Sequence, residues 1–168
     1  GVYMRTLLRD SAAGLMHSMI YFGFLVLLGV TTVLEIDHQV PPALKFLHGD
    51  VYRAYAAVGD IAGVVFTGGV IWAIIRRYVQ RPYRIRIKSK PEHAIGLGVL
   101  LAIGLTGFGA EMFRIAESQA AGINMDHEKW SVVGYPLAQL VNGSSESTLN
   151  TVHQLWWVAH VLSFIAFL

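Results

Sequence analysis

The sequence predicts an all-α fold, a polytopic transmembrane helix bundle of about four spans that forms one domain over residues 1–168. Three observations predict it. Hydrophobic residues make up 54% of the chain, and the mean hydropathy is +0.50. Charged residues are only 14%, against about 25% in a soluble domain. Apolar runs of about 20 residues, enough to cross the hydrocarbon of a bilayer, recur along the chain. The absence of cysteine excludes disulfides, thiolate zinc sites and iron–sulfur ligation within these residues.

The first run covers 12–34 without a charge. It is too long for the apolar region of a secretory signal and lacks a small-residue cleavage site, so it reads as a span. The second covers 52–75, with Asp60 as its deepest charge. The third covers 94–110 and extends to 116 if Glu111 and Arg114 are admitted; Pro91 and Glu92 suit its first turn. The fourth starts near Leu149 and is still apolar at Leu168, which leaves the final helix open to truncation. Residues 130–141, broken by Gly134 and Pro136, are too short to span. With Trp130 and Tyr135 they read as an interfacial helix or lid.

Charge sets the expected orientation. Arg5, Arg9, Arg76, Arg77, Arg81, Arg84, Arg86, Lys88 and Lys90, nine of the thirteen Lys and Arg, fall on one side. That side is then cytoplasmic, with the N-terminus inside an inner (plasma) membrane. The opposite loops carry Glu35, Asp37, Asp50, Glu117, Asp126, Glu128 and Glu146. Residues 83–88, Tyr-Arg-Ile-Arg-Ile-Lys, alternate in a way that permits a short strand. The block can dock an acidic soluble partner or anionic membrane lipid. Nothing in the chain points to nucleic acid.

Three histidines lie inside apolar helices: His17, His153 and His160. Histidine buried in lipid is expensive and marks a functional candidate. His153 and His160 are two helical turns apart and share a face. Neutral imidazole is a common axial ligand of haem iron, which suggests a b-type cytochrome; hydrogen bonds between helices are the bland alternative. At about 1.5 Å of rise per residue, His17 and His160 fall within roughly one turn of each other in depth, so two helices can clamp one haem there. His153 lies nearer the outer face, where a second haem would find His38 or His48 as partner. Gly14, Gly23, Gly59, Gly63, Gly68 and Gly69 allow close approach of a helix or a flat cofactor. Asp60, an intramembrane carboxyl, can take a proton from a quinol or bond a quinone headgroup, directly or through His48. Its alternative is a hydrogen bond to Thr67, another helix or water.

The inner-leaflet histidine of GLMHSMIYFGFLVL, the basic loop RRYVQRPYRIRIKSKPEHA, the segment KWSVVGYPLAQLV and the final helix HQLWWVAHVLSF together carry a resemblance. The chain resembles the membrane cytochrome b of nitrate reductase gamma subunits, and more closely the membrane domain of heterodisulfide-reductase-related iron–sulfur oxidoreductases. The resemblance implies one or two b haems held by paired histidines, and menaquinol or menaquinone as substrate near the outer face. It also implies electrons passing to or from a cytoplasmic iron–sulfur protein or a C-terminal iron–sulfur domain. Two departures stand out. Leu27 occupies the place of a second histidine after His17, and no histidine follows His160 before Leu168. Either His17 and His160 share one haem, or His17 pairs with a residue beyond Leu168 and His160 serves another site. The competing class is a haemless membrane anchor or a proton-relay or transporter subunit.

Overall fold

In a computed structural model, described over residues 11–80 and 91–168 apart from the His38 side chain, every element is helical. Arg5, Arg9, Arg81, Arg84, Arg86, Lys88, Lys90 and the strand suggested at 83–88 lie outside the described residues.

Helix α1 is Ser11–Gln39 and α2 is Gly49–Ile74, which runs on through a π-helical turn, Ile75–Gln80. Helix α3 is Pro91–Ala120, α4 is the short Gly134–Gln139, and α5 is Glu146–Phe167. Single 3-10 turns, Pro42–Leu44 and Asp126–Trp130, lie in the connections. Three segments are long and apolar enough to cross a membrane: Ser11–Asp37, Gly49–Gln80 and Pro91–Ala120. The third is longer than expected, because Glu111 and Arg114 find partners and the helix continues past them to Ala120. The fourth expected span is a helix, but Ser147, Thr148, Asn150, Thr151, His153 and Gln154 make its first turns polar. Ser145 caps it by accepting from the Thr148 amide at 3.3 Å.

The helices form two antiparallel hairpins, α1 with α2 and α3 with α5, joined along α2 and α3. Phe66, Val70 and Ile103 form the core of that seam, flanked by Ile20, Phe24 and Leu100. At the other end, Ile115, Ala116, Met125, Ala138 and Leu149 bury the 121–145 segment against α3 and α5. This is the capped end of the bundle. Helices α1 and α5 touch through Phe24 and Phe167, whose ring centroids are 5.2 Å apart. Lipid gives helices no hydrophobic reason to associate, so close packing holds the hairpins. At Gly23, a Cβ would come within 2.9 Å of the Phe66 backbone. At Gly29, on the same helix, a Cβ would meet nothing within 4 Å.

Gly23→Ala should therefore lower the thermal midpoint in detergent, with a cost of about 1–3 kcal/mol from overpacking. Gly29→Ala should leave it unchanged or raise it. Equal midpoints for the two variants would contradict the α1–α2 register.

Candidate functional site

The chemistry-bearing side chains gather where α2 and α3 meet the capping segment. Asp60 sits in α2, about 17 Å along the helix axis from its capped end, and only 2% of it is exposed. Burying a carboxylate costs several kcal/mol unless donors surround it. One oxygen, Oδ2, accepts from Ser131 Oγ at 2.7 Å, from the Val133 amide at 2.7 Å and from the Gly134 amide at 3.2 Å. The Asp60 partners are thus on the capping segment rather than Thr67, as the sequence had allowed. Ser131 also lies 3.0 Å from Glu111 Oε1 on α3. The Glu111 carboxyl and the Asp60 carboxyl thus meet over the one Ser131 hydroxyl. Gly134 must be bare, because a Cβ there would lie 2.7 Å from the Glu111 carboxyl carbon.

A second buried group lies beside the first. Glu128, fully buried, accepts from Tyr52 at 2.6 Å and pairs with Arg114 at 2.8 Å. Arg114 also donates to the Tyr52 oxygen at 3.3 Å. The Tyr52 ring meets His127 edge-on with centroids 5.1 Å apart, and Tyr55 donates to the Val30 carbonyl of α1 at 2.7 Å. Asp37 is a loop clamp, accepting from the Phe46 and Leu47 amides. On the surface, Asp126 and Lys129 bond each other; the contact holds the carboxyl below its usual range and the amine above its own.

The histidines occupy other places. His160 Nδ1 is 3.0 Å from Thr106 Oγ1. The Thr106 hydroxyl reaches the Ala102 carbonyl at 2.6 Å and the Ile103 carbonyl at 3.3 Å on its own helix. With its hydrogen on Ala102, the shortest of these contacts, the Thr106 oxygen accepts from His160 Nδ1 and Nε2 keeps its lone pair. The ring rests on Gly107, where a Cβ would come within 3.2 Å of its Cε1 atom. His153 Nδ1 is 2.8 Å from Glu117 Oε2. This is the same posture, with a carboxylate as acceptor.

His17 is exposed on α1. Phe167, seven residues after His160 on α5, meets the Phe24 ring of α1, and the two helices run in opposite directions. His160 lies toward the capped end from that contact and His17 toward the N-terminal end, so the two are more than one turn apart in depth rather than within one. The structure does not bring these two histidines together. His48 is the exposed N-cap of α2, about 18 Å along the axis from Asp60, and the two do not meet. Among the described residues no three His, Cys, Asp or Glu form a metal-binding group; a haem held by two histidines needs none.

Sequence reasoning did not single out Glu111 and Arg114 as site residues, because it left open whether the third span includes them. The rule that flagged Asp60 applies equally to both. Ser131 and Glu128 carry no sequence signal, since only the fold carries their loop down to α2.

No protein-family model matches the chain, and no solved structure does. The chain is 28% identical over 163 residues to an EtfAB:quinone oxidoreductase of Syntrophomonas wolfei, covering 94% of this chain. It is 25% identical over 167 residues to a probable iron-sulfur-binding oxidoreductase, FadF, of Bacillus subtilis, covering 98% of this chain. It spans 22% of the length of each of these two relatives.

Asp60→Ala should undock the capping segment, read as faster proteolysis within 121–145, because two backbone amides and Ser131 lose their acceptor. Asp60→Asn, which keeps one acceptor oxygen, should be cut more slowly than Asp60→Ala. Identical cleavage of wild type and Asp60→Ala would show that the segment does not depend on this contact.

Proposed function

We propose that the chain is a membrane-embedded b-type cytochrome domain passing electrons between the quinone pool and iron–sulfur centres of a cytoplasmic partner or C-terminal domain. The common posture of the two α5 histidines carries this reading. Each spends Nδ1 on an acceptor of α3 and keeps Nε2 for iron, as second-shell partners do for metal-bound histidines. The names of the two relatives point the same way, one containing quinone and the other iron–sulfur binding.

On this reading α5 is the fourth span, and the N-terminal end faces the cytoplasm of a cell whose plasma membrane holds the bundle. His160, held by Thr106, would be the best-placed haem ligand, and His153 is the second candidate on the same helix. His17, more than a turn away in depth, would serve a separate haem. Haem bound there supplies one-electron transfer. Asp60 takes the hydroxyl proton of a bound menaquinol, and Ser131 with the Val133 and Gly134 amides stabilises the carboxylate between turnovers. The sequence charge of Arg76, Arg77 and the basic residues of 81–90 suits an acidic partner and anionic lipid.

A dithionite-reduced minus air-oxidised spectrum of the full-length protein should show a b-type band. His160→Ala and His17→Ala should each remove part of it, and the double variant all of it. No band in the wild type would overturn the cytochrome reading in favour of a haemless anchor or proton relay. Asp60→Asn should slow menaquinol-driven haem reduction about a hundredfold and leave reduction by dithionite unchanged. Equal quinol rates would remove Asp60 from the proton chemistry.

A further inference from the structure

The two carboxyls of Asp60 and Glu111 come from different helices and meet over one serine. Their protonation follows from counting hydrogens. Ser131 has a single hydroxyl hydrogen, yet its oxygen is within bonding distance of two carboxyl oxygens, 2.7 Å from Asp60 Oδ2 and 3.0 Å from Glu111 Oε1. It can donate to one of them only. The other contact is a hydrogen bond only if that carboxyl brings its own hydrogen. With both groups ionised, Asp60 Oδ1 has no donor among the described residues, although it is buried. A hydrogen on Glu111 satisfies either orphan.

Charge leads to the same place. Among the described residues, the charged and titratable groups acting on the pair are Arg114 from α3 and Tyr52 and Tyr55 from α2. Arg114 is the cation among them, and Glu128 already neutralises it at 2.8 Å. Two adjacent buried carboxylates would therefore share no counter-ion of their own, an arrangement that strongly favours one proton between them. Oδ2 of Asp60, with three donors, is where the remaining negative charge resides.

We infer that Asp60 and Glu111 form a proton-sharing carboxyl pair bridged by Ser131, and that Glu111 is a further functional residue of the site. At rest the pair holds one proton and one negative charge. Its role in turnover rests on the quinone reading above. Menaquinol oxidation releases two protons and two electrons. Each hydroxyl proton in turn passes to the pair, which becomes neutral and hands it on to water before the next arrives. The electrons would leave one at a time to the haem proposed above. The pair returns to its resting state when one proton passes to water at the capped end. Asp60 alone would be a carboxylate locked by three donors and a poor base. Glu111 changes that, because the incoming proton meets a pair whose hydrogen can be redistributed.

The test is infrared spectroscopy of the full-length protein in lipid, without quinone. The wild type should show the carbonyl stretch of a protonated carboxylic acid at neutral pH, shifted in deuterium oxide. The band should vanish in Glu111→Gln, and it should shift in Ser131→Ala, which removes the bridge and leaves both acids in place. No protonated-acid band, or a band indifferent to both substitutions, would overturn the pair. In turnover, Glu111→Gln should slow menaquinol-driven reduction about a hundredfold with the dithionite spectrum intact. The two proposals fail separately. A carboxyl band without haem supports the pair and removes the cytochrome; haem without the band does the reverse.

Discussion

One buried oxygen organises the capped half of this bundle. Oδ2 of Asp60 draws Ser131 and the amides of Val133 and Gly134 down onto α2. Non-helical backbone at membrane depth survives only when protein satisfies its polar groups, and here a carboxylate supplies what lipid cannot. The consequences spread outward from that point. Docked at 131–134, the segment carries Glu128 to Tyr52 and Arg114, packs Gly134 on Glu111, and seats Met125 and Ala138 against Ile115 and Leu149.

The same contact separates two kinds of work. The seam between α2 and α3 toward the N-terminal end is held by dry packing around Phe66 and Val70, with glycines letting backbones meet. Toward the capped end it is held by paired charges and hydroxyls. A polar cluster in low dielectric is worth little unless every member finds a partner. This one is nearly complete, and its open positions are on carboxyl oxygens, where a proton can be added or removed.

The all-helical character and three long apolar spans were legible because a bilayer asks for such runs, and composition shows them directly. Asp60 stood out for the same reason, as a lone charge in such a run. Less legible was anything set by contacts between distant segments. Ser131 lies 71 residues from Asp60 and looks like an ordinary loop serine. Glu111 and Arg114 sat at the edge of an apolar run, so whether they belonged to the membrane turned on a boundary that sequence places only within a few residues. The relative depth of His17 and His160 failed similarly. It compounds two such boundaries, whereas the contact of Phe24 with Phe167 fixes it directly. Thr106, which sets the tautomer of His160, gives no hint of that role in a chain where Thr commonly bonds its own helix.

The 71-residue gap between Asp60 and Ser131 also has a meaning in time. Ribosomes add about 5–20 residues per second, so α2 waits roughly 4–14 s before its partner exists. Through that interval Asp60 has none of the three donors that meet its Oδ2 in the finished bundle, and a buried polar group without a partner is costly. The first hairpin is therefore incomplete until residues 131–134 reach it, and the last loop to be made is the one that closes the site.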